Sequence, residues 1–74
     1  MKATDGVREV MKVRGVRFVD LRKRLGLESN TMSNRLSQEN ISIGKLNEML
    51  RVLDYKVVIM PNDTRLREGE YEVE

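Results

Sequence analysis

The fold of this chain is decided by the stretch FVDLRKRLGLESNTMSNRL, which runs from Phe18 to Leu36. Its first half places Phe18, Leu21 and Leu25 at the spacing of one helix face. Gly26 follows, where a helix is expected to end, because glycine readily takes the left-handed conformation of a C-cap. A second helical pattern begins only three or four residues later. Two short helices joined by a glycine-containing turn are typical of a helix-turn-helix unit.

The second helix of this unit is predicted over Ser29–Leu36, with Met32 and Leu36 on its apolar side. At about 100° per residue, four side chains form one continuous polar face, roughly 110° around the helix from that pair: Ser29, Asn30, Ser33 and Asn34. A merely solvated face would more naturally carry Glu, Lys and Gln, because Ser and Asn are weaker helix formers. Two interpretations stay open, a solvated surface and a surface that contacts a partner.

Two further helices are predicted on either side of the unit. The first runs from about Thr4 to Arg14, and one of its faces is apolar, formed by Val7, Val10 and Met11. The last follows a polar loop and runs from about Ile43 to Leu53. Its inward residues are expected to be Ile43, Leu46, Leu50 and Leu53.

The pattern changes after Asp54. Tyr55–Met60 is rich in β-branched residues and ends at Pro61, which predicts a strand. A lone strand leaves its backbone groups unpaired, so it needs a partner. That partner is either Tyr71–Val73 folding back within the chain or the same strand of a second copy.

Composition excludes several function classes. The 74 residues include no cysteine and no histidine, which removes disulfides, thiolate metal sites and the commonest general base. No spaced acid pair or glycine-rich phosphate loop is present, so we expect no enzyme activity, no metal and no cofactor. No apolar run approaches the roughly 20 residues of a membrane span, and none follows the N-terminus as in a signal peptide. The expected location is cytoplasmic, without a membrane partner.

Charge is distributed unevenly along the chain. Residues Met1–Leu36 carry nine Lys and Arg against four acidic residues, a net charge of +5. From Asn62 onward, two Arg stand against five acidic residues, a net charge of −3. A basic N-terminal half followed by an acidic tail suits nucleic-acid binding by the N-terminal half. The alternative is a solvated surface on which the two signs are unevenly spread.

Beyond these patterns, Val7–Pro61, about three quarters of the chain, resembles the phage Cro and repressor type of helix-turn-helix, the XRE-like family. The matching positions are Leu21, Leu25, Gly26, Leu27, the runs Thr31–Leu36 and Asn40–Ile43, Leu46 through Leu53, and Asp54–Ile59. The resemblance implies a mainly α fold: a compact four-helix repressor-like helix-turn-helix domain over residues 1–54, followed by a C-terminal β-strand or hairpin within residues 55–74. It implies a sequence-specific DNA-binding transcriptional regulator, a repressor, that inserts its third helix into the major groove.

Three positions depart from the family pattern. Arg22 stands where the family usually has a small Ala, and Phe18 replaces a polar residue that often binds phosphate. Met11 and Leu36 take the places of an Arg–Glu pair that many members bury. Replacing a buried ion pair by apolar residues can be neutral or stabilising, so we expect Met11 and Leu36 to touch in the core.

Two groups of residues are predicted to contact DNA. Asn can bond bidentately to adenine and Ser can reach several bases, so the expected base-reading residues are Ser29, Asn30, Ser33 and Asn34. Phosphate contacts supply the sequence-independent share of affinity. Their expected sources are Arg17, Thr31, Arg35, Ser37, Gln38, Asn40 and Lys45.

A second copy is the other expected partner, because one such domain spans only a few base pairs. Dimerisation through Tyr55, Val57, Val58 and Ile59 would place two domains on a palindromic operator in double-stranded DNA. Two alternatives stay open. The chain is an interaction module that has lost DNA binding, or an antitoxin whose acidic tail binds a protein partner.

Overall fold

The computed structural model describes all 74 residues and contains four helices. They are α1 over Ala3–Arg14, α2 over Phe18–Leu25, α3 over Ser29–Ser37 and α4 over Ile43–Arg51. Each was predicted from apolar spacing, and each bound lies within two residues of the expected one. The helical part of the predicted fold is therefore confirmed.

Glycines end the first two helices as expected. Gly15 (φ 64°) follows α1 and Gly26 (φ 68°) follows α2, and both take the left-handed conformation that other residues adopt only with strain. The Leu27 N–H then bonds back to the Arg22 carbonyl at 3.1 Å. Only residues 26–28 separate α2 from α3, so the two short helices are joined by the tight turn that the sequence predicts.

One apolar core holds the four helices together. Its ten buried residues come from every helix and from the turn after α4: Val7, Val10, Met11, Leu21, Met32, Leu36, Leu46, Met49, Leu50 and Leu53. Met11 and Leu36, which we expected to touch in the core, are both buried in this cluster. The half-buried Arg22 extends along the turn and donates from Nη1 to the Leu27 carbonyl at 3.2 Å.

Ile43 does not join the core, although its spacing with Leu46 and Leu50 predicts that it faces inward. Its side chain is 71% exposed. Ile43 is the first residue of α4, just after the Ser42 N-cap, and the core ends at the next turn of the helix. Met49, which the spacing places beside the apolar face, is fully buried instead.

The predicted C-terminal strand or hairpin is absent, so this part of the expected fold is wrong. No backbone ladder joins Tyr55–Met60 to Tyr71–Val73. The returning segment covers α1 instead: the Glu74 N–H bonds to the Met1 carbonyl at 2.9 Å, and Val73 packs on Gly6 so closely that a Cβ there would lie 2.9 Å from its Cγ1. Since Tyr71–Val73 lies against α1, it does not pair with the β-branched segment within the chain.

Exposure differs between the first residue of α4 and the turn that follows this helix, which predicts different effects of truncation. Leu53→Ala removes a side chain that is 2% exposed and should lower the free energy of unfolding by about 2–5 kcal/mol. Ile43→Ala is the matched control and should change it by less than about 0.5 kcal/mol. Urea unfolding followed by circular dichroism measures both. A large loss of unfolding free energy in the Ile43 variant would show that this side chain belongs to the core.

Candidate nucleic-acid interface

The outer face of α3 is polar, uncharged and without internal partners. Ser29, Asn30, Ser33 and Asn34 are all exposed. None of their side chains hydrogen-bonds to another group of the chain. Met32 and Leu36 lie roughly 110° around the helix from the centre of this face, and both are buried. The four predicted base-reading residues thus share one open surface whose donors and acceptors are free for an external partner.

Polar contacts with α1 and with α4 hold the C-terminal part of α3 in place. Arg8 of α1 donates from Nη2 to the Leu36 carbonyl at 2.8 Å. Arg35 donates from Nη1 to Oε1 of Glu48 on α4 at 3.1 Å. Sequence reasoning missed both contacts, because they join residues 28 and 13 positions apart and nothing in local spacing reveals such pairs.

Arg35 was predicted to contact phosphate, but its ion pair with Glu48 leaves it little exposed. Its side chain is only 14% exposed and is paired with Glu48. The long stem packs between α3 and α4 while the guanidinium reaches the carboxylate. Its position makes Arg35 a residue that fixes α3 against α4.

Arg17 is exposed but paired at the start of α2. Its Nε lies 3.1 Å from Oδ2 of Asp20, and its backbone N–H donates to the same oxygen at 3.2 Å. The hydrogen bond to Asp20 raises the pKa of Arg17, and the same bond, with the backbone N–H, lowers the pKa of Asp20. The Arg17 side chain is 78% exposed, and surface pairs of this kind contribute little. It can therefore exchange Asp20 for a phosphate at small cost.

The remaining phosphate candidates lie on α3, in the loop after it and in the first turn of α4. All are exposed: Thr31, Ser37, Gln38, Asn40 and Lys45. The Ser37 hydroxyl donates to the Ser33 carbonyl at 2.8 Å, whereas the Lys45 ammonium has no ion pair. Ser42 caps α4 by accepting the Lys45 N–H at 3.2 Å. This capping places Lys45 in the first turn of α4, beside the loop that follows α3.

A salt bridge that the sequence did not reveal steadies that loop. Nζ of Lys2 lies 2.7 Å from Oε1 of Glu39. The hydrogen bond raises the pKa of Lys2 and lowers the pKa of Glu39. The buried Thr4 hydroxyl adds a bond of 3.4 Å to the Gln38 carbonyl. The N-terminus of α1 thereby positions the loop that carries Gln38 and Asn40.

The four predicted dimerisation residues have two different environments. Tyr55 is half-buried, lies beneath the Arg14 guanidinium at 5.2 Å and donates its hydroxyl to the Gly69 carbonyl at 2.8 Å. Val57, Val58 and Ile59 are exposed, and Ile59 fully so. They border a cavity of about 720 Å³ that α1 and α4 also line. Tyr55 is thus used within the chain, while the next apolar residues are left open.

Comparison with known proteins finds no family model, no curated protein and no solved structure that matches this chain. None of its four helices is long and apolar enough to cross a membrane.

Two basic residues near the site are predicted to differ in role. Arg35→Ala should lower the free energy of unfolding by about 1–2 kcal/mol, because it removes a charge-assisted bond and a packed stem. Lys45→Ala, the matched control, should change it by less than about 0.5 kcal/mol. Urea unfolding of both variants measures the difference. Equal stability of the two variants would mean that the Arg35–Glu48 contact does not hold α3 in place.

Proposed function

We propose that the chain is a sequence-specific DNA-binding transcriptional regulator, a repressor, that inserts α3 into the major groove. One observation carries the proposal: beside its buried face, α3 presents an open row of uncharged side chains with unused hydrogen-bonding groups, the polar row formed by Ser29, Asn30, Ser33 and Asn34. The major groove admits one α-helix and displays a donor and acceptor pattern that distinguishes every base pair. A surface of short amides and hydroxyls, without charge, is suited to that pattern.

Each side chain of the row has a specific chemistry to offer. Asn30 and Asn34 carry amides that match the N6 and N7 groups of adenine in a bidentate contact. Ser29 and Ser33 carry hydroxyls that donate to or accept from several bases. Residues near the N-terminus of a recognition helix reach deepest into the groove. Specificity is therefore assigned to these four residues.

Affinity is assigned to the exposed polar residues around the row. Lys45 offers an unpaired ammonium, and Arg17 offers a guanidinium that its surface pair holds only weakly. Thr31, Ser37, Gln38 and Asn40 add neutral contacts to phosphate oxygens. Arg35 is left out of this group because Glu48 occupies it.

The proposal includes a homodimer on a palindromic site. Two recognition helices on one face of the duplex lie about 34 Å apart, one helical turn. The exposed apolar residues Val57, Val58 and Ile59 offer a surface that a second copy would remove from water. Repression then follows from occupying the operator, since no activation segment is visible in the sequence.

A second candidate function is a protein-interaction module, which includes the antitoxin variant. It is favoured by the exposed apolar segment and by an acidic tail whose residues Glu68, Glu70, Glu72 and Glu74 are exposed. Salt dependence separates the two functions. A DNA-binding protein should lose affinity for duplex steeply between low and physiological salt, whereas an interaction module should not be retained on duplex at either salt concentration.

Selection of bound duplexes from a random pool tests the proposal directly. A palindromic consensus is the expected result, and absence of any enrichment would contradict DNA binding.

With the consensus known, Asn34→Ala should lose discrimination at one position of each half-site by roughly 1–3 kcal/mol. The amide is exposed, so folding should be unaffected. Competition binding against single-base variants of the consensus measures the change. Asn62→Ala, an exposed amide in the tail, is the control and should leave the preference intact. Unchanged base discrimination in the Asn34 variant would mean that other residues distinguish the bases.

A charge in the apolar segment should weaken dimerisation. Ile59→Asp places a carboxylate where the side chain is fully exposed in one copy, so the monomer fold is unaffected while burial between copies becomes costly. Light scattering should show a dimer for the unaltered chain and a monomer for this variant. Thr64→Asp adds the same charge at an exposed polar position and should stay dimeric. A monomer at every concentration without substitution would contradict this part of the proposal.

A further inference from the structure

Glu28 is the single acidic residue between Asp20 and Glu39, and it directly precedes the polar row of α3. It is exposed and serves as the N-cap of the helix, with its backbone carbonyl accepting the Met32 N–H at 3.0 Å. Its carboxylate makes no hydrogen bond within the chain and no ion pair. An unneutralised negative charge thus stands at the leading end of the row.

Capping does not account for this carboxylate. In the other three helices a side-chain oxygen binds an N–H at the start of the helix: Asp5 in α1, Asp20 in α2 and Ser42 in α4. The first turn of α3 has no such bond, although its N-cap residue, Glu28, carries a carboxylate. Its carboxylate is therefore not committed to the helix that it begins.

Nearby basic residues do not neutralise it either. Arg22 donates to the Leu27 carbonyl at 3.2 Å, and Arg24 donates to the Val52 carbonyl at 3.3 Å. Arg35 is paired with Glu48. The three arginines closest to Glu28 in sequence thus interact with other acceptors. The carboxylate of Glu28 is therefore available to a molecule that binds to α3.

In a DNA groove this charge has one favourable acceptor role. Phosphates repel a carboxylate, and the major-groove edges of guanine and thymine present only acceptors, whereas the amino donor of adenine lies beside the N7 acceptor, which repels a carboxylate. Cytosine presents the N4 amino group, a donor that Glu and Asp side chains can accept from. We infer that Glu28 is a specificity-determining residue that selects cytosine at one position of each half-site. The inference rests on the proposed function and adds a negatively charged contact to the four neutral ones.

Two substitutions of Glu28 test the inference in the full chain. Duplex selection is repeated with Glu28→Ala and Glu28→Gln. The unaltered chain should prefer cytosine at one position by about fivefold or more, and the Ala variant should lose that preference. The Gln variant should shift it toward adenine, because an amide can bond N6 and N7 together.

Glu68→Gln is the matched control, since it removes the same charge from an exposed tail residue without an ion pair. It should keep the cytosine preference, and thermal unfolding should show all three variants folded. A consensus that is identical in the Glu28 variants would overturn the inference while leaving DNA binding intact. Absence of enrichment with the unaltered chain would overturn the proposed function and this inference together.

Discussion

Burial of Met32 and Leu36 in the common core is the constraint on which the rest of the structure depends. Both residues lie on one side of α3, so their burial determines which side chains face outward. The short turn through Gly26 keeps α3 next to α2, and the Arg8 and Arg35 contacts hold its far end. The polar row is therefore displayed by a helix whose orientation is over-determined. Such rigidity is what recognition of base edges requires.

The polar row has a cost that the core has to offset. Ser and Asn are less favourable than Ala in a helix by up to roughly 0.7 kcal/mol per residue. In a domain this small the core is limited, and total stability is modest. Four such residues on one short helix are consistent with selection for a surface property. The unoccupied hydrogen-bonding groups of the row are that property.

Much of the fold could be predicted from sequence because the helices depend on local patterns. Apolar spacing predicted all four helices, and Gly15 and Gly26 predicted where the first two helices end. The outward face of α3 followed from the helical wheel. Ile43 was misplaced because spacing identifies a face but not where along the helix the core stops. The strand prediction was wrong because β-branched composition fits a sheet without supplying a second strand.

Candidate site residues were predictable to a similar extent. The residues of the polar row could be predicted from periodicity, whereas the burial and the ion-pair partner of each charged residue could not. Arg35 and Arg17 have the same charge, yet one is largely buried against Glu48 and the other is exposed beside Asp20. That difference depends on how α3 meets α4, which is a tertiary property. The uncommitted carboxylate of Glu28 likewise emerged only when the partners of its basic neighbours were known.

The central claim is that the outer face of α3 is the surface that meets DNA. Its most direct test is an NMR titration of the isotope-labelled chain with a short duplex of mixed sequence at low salt. The account predicts that the largest side-chain and backbone shifts occur at Asn30 and Asn34, with smaller ones near Lys45 and none in the acidic tail. Shifts confined to Val57–Ile59 or the tail, or no shifts at all, would contradict it.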